Sequence, residues 1–378
     1  MSFPKFLTVK SGDSRLADLL DGRPVVAPDQ TVGVSTAGEL RPLLISTLNP
    51  ENLMPTDWTF ELVPVGSLNR PPMLLVWIKA LRPETLVLSI APMLAIASLL
   101  IREGVFDAGL TLQALIGVLA LHAAIGLFND YHDHVSGWDR IAERGGARVI
   151  ARGWLRAIDV KRGAWTAFAL AVLAGLPLVV TRFSVGVVIA LLALLASLEF
   201  AVSRFGLKYK GFHEIAAWFM FGPLLTGGFY WAVAGRFEWA ALFYGALYGS
   251  FALLILHLKN FERILVDGRA GFRTWPVRAG FDASKTFAYF SVALVIVSAV
   301  LISAFVDPIP ERTLLPAVLI LASRTLIGRV KGLESPVAGK MRGLAREGYL
   351  LAWWGLLAFL LGEVVRTFEA WYMGWFGA

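Results

Sequence analysis

The stretch LFNDYHDHVSGWDR, Leu127 to Arg140, joins a long apolar run to a strongly basic segment. At that junction it places three carboxylates, Asp130, Asp133 and Asp139. A carboxylate at a helix C-terminus sits on the negative end of the macrodipole, an unfavourable place unless a cation is bound beside it. A divalent metal is the natural counter-charge. Asp130 and Asp133 are three residues apart, so they share a helical face. Traced backwards, that face takes in Asn129, Gly126 and His122, and Gly137 lets the chain turn so that Asp139 can return towards the other two. Hard carboxylate oxygens suit Mg2+, which keeps several waters and meets protein through one or two carboxylates plus substrate phosphates. Arg148 and Arg152, four apart, are spaced to grip phosphate oxygens.

The rest of the chain says where this cluster lies. Of 378 residues, 57% are hydrophobic and 17% charged, and the mean hydropathy is +0.65. An ordinary soluble domain carries about 25% charged residues, so the composition is that of a polytopic membrane protein. The absence of cysteine excludes disulfides and thiolate metal sites. The first 30 residues lack the apolar core of a secretory signal. Residues 1–73 read as a soluble extension with a few short strands such as Thr59–Pro64, and residues 74–378 as the transmembrane domain. Nine runs of membrane length follow: 83–101, 110–129, 163–181, 184–203, 213–234, 238–258, 284–305, 313–328 and 349–366. The eighth is the weakest, because Arg324 falls within it.

Lysine and arginine crowd the connections after the second, fourth, sixth and eighth runs, for example Arg140 to Arg162 and Lys259 to Lys285. Basic loops stay on the cytoplasmic side, which puts the N-terminus in the cytoplasm and the C-terminus outside. The net charge of +7 is therefore mostly topogenic, and nucleic acid is not an expected partner. His132 and His134 do not make a zinc site by this reading, because His132 and Asp133 point to different sides and no third histidine is near. Glu199 at the end of the fourth run is either functional or paired with Arg204. Glu363 and Arg366, three apart, read as a snorkelled pair, and Trp353, Trp354 and the C-terminal WYMGW as interfacial anchors.

NDYHDHVSGWD resembles the first aspartate motif of the UbiA superfamily of intramembrane prenyltransferases, in the spacing of its 1,4-dihydroxy-2-naphthoate polyprenyltransferase branch. WIKALRPETLVLSIAPMLAIAS, Trp77 to Ser98, is similar to that branch's opening helix. LKYKGFHEIAAWFMFGPLLTGGFYW resembles a further segment, on Tyr209, Gly211, Glu214, Phe221, Gly222, Pro223 and Tyr230. The resemblance spans roughly residues 75–370. It implies an all-α, nine-helix membrane bundle with a lipid-open cavity, roofed by two aspartate-rich loops that bind Mg2+ and the diphosphate of an isoprenyl donor. The leaving diphosphate is neutralised by metal and basic residues, and the allylic cation attacks an aromatic ring. For this chain it implies polyprenyl diphosphate and an aromatic acceptor as substrates, the lipid bilayer as surroundings and menaquinone biosynthesis as setting. Asp130, Asp133, Arg148 and Lys210 are the expected catalytic residues. Asn129, His122, Arg152, Tyr209, Glu214, Asn260 and Arg263 are expected to bind substrate, and Asp130, Asp133, Asp139, Glu262 and Asp267 to bind metal.

The second motif departs from the pattern. Its stretch is LKNFERILVDGRAGFRTW, in which Asn260, Asp267, Gly271 and Thr274 fit, while Arg263 stands where the family motif has its first aspartate and Glu262 precedes it. One residue of helix is about 100° of rotation, so Glu262 does not simply substitute. Three readings follow: a site using Glu262 and Asp267 in shifted geometry, Arg263 replacing one cation as a fixed charge on the diphosphate, or a relative that binds prenyl lipid without transferring it. A superfamily enzyme with another acceptor and a transporter are the remaining alternatives. A transporter should show internal repeats and broken helices at mid-membrane, which the sequence does not.

Overall fold

The computed structural model describes residues 6–23, 40–49, 52–137, 147–183, 186, 188, 189, 192, 193, 211–269, 272–306 and 313–376. Most of the expected run 184–203, together with Asp139, Glu199, Tyr209 and Lys210, lies outside them. The chain falls into two compact units. One gathers Met1–Pro83, Ala123–Ala169 and Phe200–Arg204, and the other Glu84–His122, Leu170–Glu199 and Phe205–Ala378.

The first unit contains an antiparallel sheet, ordered β1-β3-β2, of β1 (Phe6–Lys10), β2 (Leu40–Asn49) and β3 (Asn52–Pro64). β3 is central and alternates as a half-buried strand should: Trp58 and Phe60 are buried while Thr59 and Glu61 are only partly covered. Leu44 of β2 stands opposite Phe60. Val9 and, from the short helix Leu16–Leu20, Leu19 and Leu20 complete this core. The expected strand at Thr59–Pro64 is thus present inside a longer one. The sheet corrects the all-α expectation, since it adds a β layer to an otherwise mostly helical chain. A second cluster in this unit joins the helix Met73–Ala80 to the segment 147–157 through Val76, Ala80, Leu127, Val149, Ile150 and Leu155.

In the second unit the apolar runs become helices. Among the described residues five helices are long and apolar enough to cross a membrane: Ala108–Val135, Ala157–Thr181, Trp239–Glu262, Phe281–Val306 and Gly339–Glu369. A sixth is added if Met73–Thr85 and Val87–Arg102 form one broken span. The weak run containing Arg324 also forms a helix, Leu314–Lys331. Trp239–Glu262 is the most buried of the five. Val87–Arg102, His213–Phe219, Phe281–Leu301 and Leu344–Phe376 all pack on it, around Tyr244, Phe251, Leu254 and Phe261.

The run expected at 213–234 is broken. His213–Phe219 and Leu225–Ala234 are separated by a π turn, Met220–Leu224, in which Gly222 leaves helical geometry at φ −104°, ψ −111°. Pro223 supplies no N–H to the helical ladder, which accounts for a break at this point. A side chain on Gly222 would strike the Gly245 carbonyl and come within 2.9 Å of Gly249 Cα. Lipid offers helices no hydrophobic drive to associate, so such close backbone approach is what holds them together.

Candidate active site

The first aspartate stretch ends the helix Ala108–Val135. Asp130 is buried there and is ion-paired with Arg82. Its Oδ2 also faces the Ala147 N–H at 3.5 Å, a long contact. Arg82 stands just before Pro83 and has φ 51°, a left-handed conformation that is uncommon for a non-glycine residue and needs support from its surroundings. The Asp130 pair gives that support. Asp133, one helical turn on, accepts from Asn129 Nδ2 at 3.2 Å. Asn129, Asp130 and Asp133 are therefore brought together, as the helical spacing predicts.

The segment 147–157 also agrees with its spacing. The Arg152 N–H donates to the Arg148 carbonyl at 3.0 Å, so the two arginines are joined by one tight turn. Arg148 has φ 55°, and no other non-glycine residue among the described ones shares a positive φ with it except Arg82. The Arg152 guanidinium lies 4.7 Å from the centre of the Trp154 ring, against which Lys79 also sits at 5.1 Å. Stacking of this kind leaves the planar edge of a guanidinium available to oxyanions.

Two carboxylates and an amide on one helix end form a hard oxygen donor set. That fits Mg2+, which needs only one or two protein carboxylates and completes its shell with water and phosphate oxygens. Arg82 was not singled out from the sequence, although it lies within WIKALRPETL. The signal was that a buried Asp130 requires a buried cation. Among the described residues no group of three acids or histidines suited to a metal occurs.

The remaining expected site residues that the structure describes lie in the second unit. His122 has both ring nitrogens engaged, Nε2 at 3.0 Å from Thr85 Oγ1 and Nδ1 at 2.7 Å from Ser89 Oγ, and its ring is 5.6 Å from that of Phe221. Glu214 is buried and its Oε1 accepts from Asn260 Nδ2 at 2.8 Å, while its Oε2 has no hydrogen-bond partner among the described residues. Asn260 is positioned by the deeply buried helix Trp239–Glu262, which ends two residues later.

At that end the altered motif is resolved into two separate interactions. Arg263 Nε donates to Asp267 Oδ1 at 3.1 Å, one turn along the chain, and Asp267 is fully buried. Glu262 accepts the Ala345 N–H at 2.6 Å and so caps the helix Leu344–Phe376. Each acid is thus committed elsewhere, and the two do not join a third acid in a metal cluster among the described residues.

Comparison with known proteins agrees with this fold. The UbiA prenyltransferase family model matches residues 89–336. The chain belongs to the UbiA prenyltransferase family and is a multi-pass membrane prenyltransferase. Among curated relatives, it is 29% identical over 210 residues to a 1,4-dihydroxy-2-naphthoate octaprenyltransferase of Escherichia coli (strain K12), covering 54% of this chain and 68% of the relative. It is also 29% identical over 217 residues to a protein of that name from Mycobacterium tuberculosis (strain ATCC 25618 / H37Rv), covering 56% and 72% respectively. Solved structures share the fold. A UbiA homolog from Archaeoglobus fulgidus bound to DMAPP and Mg2+ superposes with a TM-score of 0.52 at 13% identity, over 75% of this chain and 98% of its own. A digeranylgeranylglyceryl phosphate synthase gives 0.50 at 18%, over 77% and 98%.

Proposed function

We propose that this chain transfers a polyprenyl group from polyprenyl diphosphate to an aromatic acceptor, 1,4-dihydroxy-2-naphthoate, in menaquinone biosynthesis, with Mg2+ as cofactor. The names of the curated relatives support the acceptor, and the Mg2+ and DMAPP of the archaeal homolog support the metal and the donor class. One observation carries the reading. Asp130 and Asp133 share a helix face, and the residue that meets Asp130 through its N–H immediately precedes Arg148.

In this reading Asp130 and Asp133, with Asp139, hold Mg2+, and Arg148, Arg152 and Lys210 grip the diphosphate. When bound, the metal supplies charge neutralisation to the departing diphosphate. The bond between the allylic carbon and the diphosphate oxygen breaks, a bond from that carbon to the ring forms, and the ring carboxylate leaves as carbon dioxide. His122, Asn129, Tyr209, Glu214 and Asn260 bind substrate. In the second motif Arg263 acts as a fixed positive charge. A guanidinium has five N–H donors, of which Nε is used on Asp267. Glu262 and Asp267 remain the candidates for a shifted second metal. The reading extends to a nine-helix bundle over residues 74–378, a separate extension over 1–73, a cytoplasmic N-terminus and an external C-terminus.

The test is radiolabelled geranyl diphosphate offered with 1,4-dihydroxy-2-naphthoate and other aromatic acceptors, with and without Mg2+. Mg2+-dependent prenylation of the naphthoate is expected. Product with another ring alone would move the acceptor. A second reading, a prenyl-lipid binder without turnover, is favoured by the Arg263–Asp267 pair, which ties up an expected metal ligand. Tight lipid binding with no product from any acceptor would establish it instead.

A further inference from the structure

Residues 1–73 have no role in the chemistry described so far, yet they touch both ends of the segment that follows the first aspartate stretch. β2 makes the contacts. Its Thr47 is almost wholly buried, and a Cβ on Gly137 would sit 2.7 Å from its methyl group. Gly137 has φ +74°, so it is doubly bound to be glycine. Further along the same strand, Arg41 Nη1 donates to the Gly153 carbonyl at 2.5 Å, and Leu43 lies where a Cβ on Gly153 would be, 2.7 Å from that position. Arg41 and Leu43 are two apart, on one face of a strand.

The pairing of β2 with β3 slips between Leu44 and Ser46 and again between Ser46 and Leu48. Irregularities of this kind re-aim side chains, and here they fall around Thr47. Other contacts repeat the pattern. Val135, the last residue of the aspartate helix, packs against the sheet's core. The Asp21 carbonyl accepts the Ile158 N–H at 3.3 Å, the Tyr131 hydroxyl lies 3.5 Å from the Asp21 carboxylate, and Trp154 Nε1 donates to the Asn69 carbonyl at 3.0 Å.

We propose that the amino-terminal sheet is a positioning module: β2, through Thr47 at Gly137 and Arg41 at Gly153, sets the carboxylates of Asp130 and Asp133 relative to the arginines Arg148 and Arg152. A sheet that served only to shield the unit's surface would not need to reach both ends of the 137–153 segment with one strand. This inference rests on the proposed Mg2+–diphosphate reading of those four residues. Its substrate-side consequence is that the extension governs how readily Mg2+ and a prenyl diphosphate bind together.

The experiment uses the full chain in detergent micelles, with geranyl diphosphate titrated calorimetrically at a series of Mg2+ concentrations. The variants are Arg41→Ala, Arg41→Lys and Thr47→Leu. Arg41→Ala and Thr47→Leu are each expected to raise the half-saturating Mg2+ about tenfold, the lower end of what outer-shell changes do to metal affinity. Arg41→Lys, which keeps a donor for one carbonyl, should restore the wild-type value. Where turnover is measured, KM for the diphosphate should rise more than kcat falls. If both variants melt at lower temperature but keep the wild-type Mg2+ requirement, the sheet is merely structural and the proposal is overturned. Arg41→Ala inserts no bulk, so it decides the matter should Thr47→Leu fail to fold. A wild-type chain that binds no geranyl diphosphate in Mg2+ defeats the functional reading itself, and the positioning role falls with it.

Discussion

At the end of the helix Ala108–Val135, Asp130 is paired with an arginine from another helix boundary, Arg82. After the helix Trp239–Glu262, Asp267 is paired with an arginine of its own stretch, Arg263, four residues before it. Both pairs are carboxylate and guanidinium, and in both the acid is buried. Burying one charge without the other would cost several kcal/mol, so each acid needs its partner. The consequence differs because of where the partner comes from. Arg82 arrives from outside and leaves the helix end with two carboxylates and an amide, a net acidic patch suited to a cation. Arg263 belongs to the same stretch as Asp267, so there the positive charge comes from one turn away in the chain.

The largest expected effect breaks the first side of that comparison. Asp130→Asn should lower prenyl transfer by about a hundredfold or more, the size seen when a preorganised charge at the reacting centre is removed. Asp267→Asn should cost far less in turnover. Initial rates with geranyl diphosphate at saturating Mg2+ would separate them, and equal losses would mean that the two pairs are equivalent after all. An intermediate effect is expected from Arg263→Asp, which places two acids one turn apart and restores the motif's acidic pattern. Its half-saturating Mg2+ should shift by about tenfold, and an unchanged Mg2+ profile would put Arg263 outside the site. The smallest is Glu262→Gln. As a cap on Leu344–Phe376 it should reduce stability by about 1 kcal/mol or less, read by thermal unfolding in detergent, with the Mg2+ profile intact. A large loss of Mg2+ affinity there would restore Glu262 as a metal ligand.

Much of this was legible because it depends on local pattern. The apolar runs around Ala108–Val135, Trp239–Glu262 and Phe281–Val306 became helices because length and apolarity decide that alone. Asn129, Asp130 and Asp133 came together because helical spacing is periodic. What escaped depends on tertiary partners. Arg82 was not singled out, and nothing nearby in the chain announces Asp130 as its partner. β2 was missed because Pro42 and Ser46 interrupt its pattern, and its place is set by pairing with β3. The break in the 213–234 run turns on the contact of Gly222 with Gly245 and Gly249, two glycines more than twenty residues away in sequence. The fate of Glu262 was settled by an N–H from residue 345.

The small sheet has a consequence for how such a protein can change. Its core of Val9, Leu19, Leu44, Trp58 and Phe60 takes one contact from a long helix, that of Val135. Drift in those sixty-odd residues is screened first by whether that core still packs. Substitutions at Arg41, Leu43 or Thr47 then alter a loop's stance while every lipid-facing residue stays as it was. The module works as an adjustable bracket, and natural variation in it is a route by which relatives with the same helices could acquire different metal requirements.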